Sequence, residues 1–217
     1  MKDLYLIGAG GFSTEILHLV ELIQEKSKRW NQVFFIDETM EPFSKELRGV
    51  KVVGGLEVIE KTEAEIDVVI TINNTVARKR IVETLKINSN IQFPNIYSPY
   101  AIIDEKYLQI GEGNIVMHFC ILSTHLTIGN FNTFNSYAGV GHDCIIGDYN
   151  SFGPRVAISG KVNIGNVNDF GVNSTVLDKK TIGNNNNIWM NTSIMKNIKS
   201  DGTYFGIPGK KYNYDKE

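Results

Sequence analysis

Four histidines are the side chains of this chain best suited to moving a proton near neutral pH, and one has an acid directly after it. His142 is followed by Asp143. A carboxylate bonded to one imidazole nitrogen fixes the tautomer and raises the basicity of the other, so the pair is a candidate general base. The plain alternative is a surface histidine at a turn. His18 falls within the helical pattern LHLVEL and reads as packing or surface, and His118 has no acid after it and reads as structural. His125 stands 18 residues before Asp143 and is a second possible partner for that carboxylate. The other chemistry-bearing group is the glycine turn of LYLIGAGGF. Gly8, Gly10 and Gly11 let backbone amides approach a phosphate at a helix N-terminus. The third glycine of a dinucleotide fingerprint would fall at position 13, where Ser13 stands, so a mononucleotide or sugar-nucleotide cradle is favoured over a redox dinucleotide site. A turn that merely joins strand to helix is the bland reading. Cys120 and Cys144 have no metal-type spacing and read as buried free thiols of a reducing compartment. No ligand cluster suggests a metal.

The element that must hold His142 is set by a repeat. Ile-Gly pairs begin at Ile110, Ile128, Ile146, Ile164 and Ile182, each 18 residues after the last. Each 18 divides into three sixes, and the fifteen leading positions from Ile110 to Ile194 are all Ile, Val, Leu or Phe. Six residues make a short strand and a corner, and three such units close a triangular coil whose apolar leads stack inside it. A period of six matches no helical stripe. Glycine and asparagine (Gly129, Asn130, Gly147, Gly165, Asn166, Gly183 and Asn184) are expected to supply the corner conformations that β-branched residues resist. In this register Gly160 stacks over His142 at one strand spacing, about 4.8 Å. A glycine there leaves room for an approaching carbonyl, and its amide can face a developing oxyanion.

Residues 1–100 read differently. The strand LYLI, the helix STEILHLVELIQEK, a second strand VFFID ending in an acid, a third strand IDVVITI and the helix NNTVARKRIVETLK open a parallel α/β nucleotide-binding fold. The expected organisation is a Rossmann-like α/β domain over 1–100, followed by a left-handed parallel β-helix of hexapeptide repeats over 101–217. A formal net charge of −2 argues against a dedicated nucleic-acid binder. No apolar run is long enough to span a membrane, and the N-terminus runs straight into a strand rather than reading as a signal peptide.

The combination of GAGGF, Asp37-Glu38 and a β-helix bearing GHDCIIGDY resembles bacterial sugar-nucleotide acetyltransferases. These include enzymes that N-acetylate UDP-4-amino-sugars or GDP-perosamine, and sialic-acid O-acetyltransferase relatives. The resemblance covers nearly the whole chain, including the terminal GIPGKK. It implies acetyl-CoA as co-substrate, no metal, a nucleotide-activated aminosugar as acceptor in surface glycan biosynthesis, a cytoplasmic location, and a homotrimer with active sites in grooves between subunits. On this resemblance His142, with Asp143, is the catalytic base. Gly10, Gly11, Phe12, Asp37, Glu38 and Asn73 bind the sugar nucleotide; helix capping is the plain alternative for Asn73 and its neighbour Asn74. Ser151, Ser159, Gly160 and Val172 line the acetyl-CoA groove. Two departures stand out. Some relatives carry a histidine eight or nine residues after the base, where this chain has Asn150 and Ser151, and Trp189 and Met190 replace small residues in the last coil. Transfer to a hydroxyl, or a non-catalytic scaffold on the same repeat, remain the alternatives.

Overall fold

Strands buried on both faces need continuous apolar runs, and those of the N-terminal half supply them. The structure, a computed structural model, describes residues 1–43 and 45–212. The chain divides into two units, Met1–Ile96 and Tyr97–Glu217; residues 213–217, within the expected second domain, lie outside the described residues. In the first unit a parallel sheet is built from β1 (Asp3–Ile7), β2 (Val33–Ile36), β3 (Ile66–Ile70) and β4 (Ile91–Gln92), in the order β2-β1-β3-β4. All five residues of β3 are buried. Helix α1 (Gly11–Lys26) buries Ile16, Leu17, Leu19 and Val20, and α2 (Thr75–Leu85) buries Arg78, Val82 and Leu85 at helical spacing. The chain leaves β1 for β2 on one side and returns to β3 on the other. That reversal opens a crevice at the carboxyl ends of the strands.

In the second unit the period of six becomes three parallel ladders, one on each face of a triangular β-helix. The first face holds Ile115–Val116, Thr133–Phe134, Ser151–Phe152, Asp169–Phe170 and Asn187–Ile188. The second holds Ile121–Leu122, Gly139–Val140, Ala157–Ile158, Thr175–Val176 and Ser193–Ile194. The third holds Leu126–Ile128, Ile145–Ile146, Asn163–Ile164 and Thr181–Ile182. Of the fifteen apolar leads, fourteen are buried, and Ile110 in the first coil is half-buried. Phe134, Phe152 and Phe170 stack inside at centroid spacings of 4.7 and 4.9 Å, the coil repeat itself.

The corners differ from the expectation. Gly129, Gly147, Gly165 and Gly183 do not take the left-handed conformation; the residues two places on do, namely Phe131, Tyr149, the β-branched Val167 and Asn185, with φ between 53° and 62°. The glycines are required by space instead. A Cβ on Gly129 or Gly147 would stand 2.8 Å from the backbone of the next coil. Asn130, Asp148 and Asn166 accept from the backbone amide one coil earlier, as Asp148 Oδ1 does from the Asn130 amide at 2.7 Å. A second, interior ladder is formed by Asn114, Asn132, Asn150, Asn168 and Asn186, all buried. Each Nδ2 from Asn132 onward donates to the preceding Oδ1 at 3.0–3.1 Å. Every buried amide in it finds partners, as buried polar groups must.

Candidate functional site

His142 and Asp143 sit at the corner between the second and third faces. Asp143 is the left-handed residue there, with φ 59°, and its amide donates to the Thr124 carbonyl one coil earlier at 3.1 Å. This conformation turns the carboxylate back toward the preceding side chain, and His142 Nδ1 lies 2.7 Å from Asp143 Oδ2. With Nδ1 protonated and donating, Nε2 carries the lone pair. The hydrogen bond from His142 holds the Asp143 carboxyl below its ordinary value; slight desolvation opposes this, while the charges of His142, Lys161 and His125 add to it. Nε2 lies against Gly160, where a Cβ would stand 2.7 Å from it. The Gly160 amide makes no hydrogen bond within the described residues, so a donor without a partner stands beside the base. Ser159 precedes it and borders a cavity of about 140 Å³ with Thr175, Leu177 and Met195.

The other candidates separate cleanly. His125 does not bond Asp143. Its Nδ1 lies 3.3 Å from Thr124 Oγ1, and its ring tilts over Tyr107 at 4.8 Å. His118 Nδ1 meets Ser98 Oγ at 2.7 Å, a structural role on another corner, and His18 is a surface residue 3.5 Å from Glu21. Both cysteines are buried and free, and burial pushes the Cys120 thiol up to about 11. Asn150 belongs to the interior ladder, so it cannot reach a ligand outside the coil. Ser151 lies on the first face, and Val172 at the corner that follows it, 45% exposed; the chain does not bring either to the corner of His142. Trp189 packs against Phe205 at 6.1 Å, and Met190 is exposed.

In the first unit a cavity of about 470 Å³ occupies the crevice at the strand ends, and Gly10, Gly11, Phe12, Asp37, Glu38 and Asn73 all line it. Gly10 caps α1 without a side-chain bond, leaving the first amides of the helix for a ligand. Gly8 takes φ 108°, and Ser13 stands in place of the third glycine, its hydroxyl 2.7 Å from Thr71 Oγ1. The serine fills the helix–strand contact, so no glycine is needed there. Asp37 is more occupied than its position suggests. Oδ2 accepts from the Ala9 amide at 2.9 Å, and Oδ1 accepts from the Thr39 amide and hydroxyl at 2.9 and 2.6 Å. Desolvation pushes its pKa up, but these bonds and Lys45 outweigh it and hold the carboxyl below its ordinary value. Asp37 therefore clamps the glycine turn, while Glu38 and Asn73 face the cavity without that duty. Asn74, not Asn73, is the helix cap, accepting from the Ala77 amide at 2.9 Å. Sequence reading passed over Thr39 and Thr71; the two-residue step from Asp37 to Thr39, an Asx turn, was the available signal.

Residues 3–85 match the PglD N-terminal domain family. Among solved structures, the acetyltransferase domain of PglB from Neisseria gonorrhoeae, in complex with acetyl coenzyme A, superposes with a TM-score of 0.89 at 22% identity, over 97% of this chain and 99% of that one. WeeI from Acinetobacter baumannii gives 0.87 at 27% identity, over 98% and 100%. PerB from Caulobacter crescentus, in complex with CoA and GDP-perosamine, gives 0.87 at 21% identity, over 98% of both chains. The second unit thus has the left-handed β-helix fold. No curated protein matches the chain significantly by sequence. Among the described residues no cluster of His, Cys, Asp or Glu is arranged to hold a metal ion, and no helix is long and apolar enough to cross a membrane.

Proposed function

We propose that the protein is an acetyltransferase that moves the acetyl group of acetyl-CoA to the amino group of a nucleotide-linked aminosugar of the UDP-4-amino-4,6-dideoxy type. One observation carries the reading: His142 is tied to Asp143 through Nδ1 and presents Nε2 beneath Gly160, whose amide has no partner among the described residues. In the reaction the amine attacks the thioester carbonyl carbon and gives its proton to Nε2. The tetrahedral oxyanion takes the Gly160 N–H, and the CoA thiolate leaves with the proton held by the imidazolium. Asp143 keeps the imidazole in the tautomer this requires.

The cavity of the first unit suits the nucleotide. The open amides of α1 are placed for phosphate, and Glu38 and Asn73 for ribose or base edges. The bound molecules named for the PglB domain and PerB support both halves of the reading. A homotrimer is part of it. Tyr100, Ile102, Phe119, Ile121 and Tyr137 are each at least half exposed on the second face and the corner before it, and Phe119 stacks on Tyr137 at 5.1 Å. Such an apolar strip suits burial against a second copy, and Ser151 and Val172 enter a donor groove only as a neighbouring protomer's contribution. A cytoplasmic location is part of the same reading, supported by the use of acetyl-CoA.

The test is incubation with acetyl-CoA and a panel of UDP-, GDP- and dTDP-linked aminosugars plus sialic acid, following thiol release and product mass. An acetylated amine on a nucleotide sugar is the expected product. Acetylation of sialic acid alone would move the assignment to a hydroxyl acceptor, and silence across the panel would end the enzymatic reading.

A further inference from the structure

The nucleotide cavity of the first unit does not end at Glu38. Glu38, Leu56 and Ile81 line it and also line a second cavity of about 290 Å³, so the two adjoin along these three residues. One wall of the second cavity is a face of α2, where Ala77, Arg80, Ile81 and Thr84 recur at the i, i+3, i+4, i+7 spacing. Leu56 and Glu60 supply another, from the 3₁₀ turn Leu56–Val58 and the chain just after it. The Glu60 backbone is held on both sides. Its amide donates to the Leu56 carbonyl at 3.0 Å, and its carbonyl accepts from Asn88 Nδ2 at 3.1 Å. The Thr84 hydroxyl is already used, donating to the Arg80 carbonyl at 3.1 Å. Arg80 and Glu60 are not: guanidinium and carboxylate line one cavity, yet neither side chain makes a hydrogen bond or ion pair among the described residues.

We infer that this second cavity is the base subsite of the nucleotide, where Arg80 and Glu60 read the edge of a uracil ring packed on Leu56 and Ile81. With the diphosphate at the amides of α1, Glu38 at the junction meets the ribose, and the base lies beyond it. The inference rests on the UDP reading above, and that reading fixes the pairing. Uracil has one N–H and two carbonyls on its polar edge. The carboxylate of Glu60 can therefore pair only with N3–H, and the guanidinium of Arg80 only with O4 or O2. Cytosine replaces N3–H by a bare nitrogen, so a ring held in the same position sets a lone pair against Glu60. The pair of residues thus selects uracil over cytosine, partly by repulsion.

Calorimetric titration of the full chain tests this without turnover. The wild type should bind UDP, and CDP about tenfold or more weakly. Arg80→Met should weaken UDP about tenfold. Glu60→Gln, whose amide can donate to a bare N3, should narrow the gap between UDP and CDP to about threefold or less. Inorganic pyrophosphate reaches only the amides of α1, so its affinity should stay within about twofold in both variants. UDP bound equally by the wild type and both variants would place the base elsewhere, and so would CDP bound as tightly as UDP by the wild type. Either result would overturn the inference and leave the nucleotide cradle standing. Pyrophosphate binding lost together with UDP binding would make Arg80 a structural residue and overturn it too. A wild type that does not bind UDP would remove the UDP reading, and this inference with it.

Discussion

At His142 the neighbour in sequence and the neighbour in space have different tasks. Asp143 sets the tautomer, and Gly160 keeps the face of Nε2 clear. Gly160 does not have a positive φ, so alanine is tolerated by the backbone there, yet its methyl group would displace the imidazole. Gly160→Ala should therefore keep the thermal midpoint near that of the wild type and lower kcat by about a hundredfold or more. A variant that loses both together would place the glycine's role in folding. Asp143 has a folded pKa below its ordinary value, so its bond to His142 is intact through the neutral range and is lost only as pH falls through that depressed value. Asp143→Asn should accordingly reduce kcat across the whole neutral and alkaline range. A loss confined to acid pH in a rate profile would contradict this role.

At the scale of elements, the β-helix was legible because fifteen apolar leads at a fixed six-residue step have only one economical arrangement, and the structure buries fourteen of them in that register. The parallel strands of the first unit were legible for the same reason, as was the crevice at their ends. What escaped was the work of polar residues inside regular structure. The asparagines at positions 114, 132, 150, 168 and 186 recur every 18 residues, but composition alone cannot tell a buried amide ladder from surface turns. Asn150→Ala should remove hydrogen bonds from Asn168 and from the Gly165 carbonyl and destabilise the β-helix by roughly 2–3 kcal/mol in denaturant unfolding. A change under about 0.5 kcal/mol would show that the ladder is idle. Asp37 lines the nucleotide cavity as expected, and its bonds to Ala9 and Thr39 are a second duty that the sequence did not show. Its depressed pKa contributes stability that is present above the ordinary carboxylate value and lost as pH falls through the folded one. Asp37→Asn should thus cost about 1 kcal/mol at pH 7, with the difference from wild type shrinking in acid. A gap that widens toward low pH would reverse the sign.

For the whole molecule, the exposed stack of Tyr100, Phe119 and Tyr137 and the neighbouring Ile102 and Ile121 have no counterpart in a signal that sequence periodicity can give, because outward positions carry no stacking constraint of their own. The proposed assembly gives these side chains a reason to be apolar. Ile121→Asp should convert a three-chain mass in solution to that of one chain while leaving the β-helix folded, and activity should fall with the mass. A wild type that is itself a monomer would remove the shared groove from the account. The most direct test of the central claim is the initial rate of CoA release from acetyl-CoA and a UDP-4-amino-sugar, compared between wild type and a folded His142→Ala. The account expects the variant to be slower by about 10² to 10⁴ in kcat, with the KM for acetyl-CoA little changed. Equal rates would show that the proton leaves by another route and that His142 is not the base.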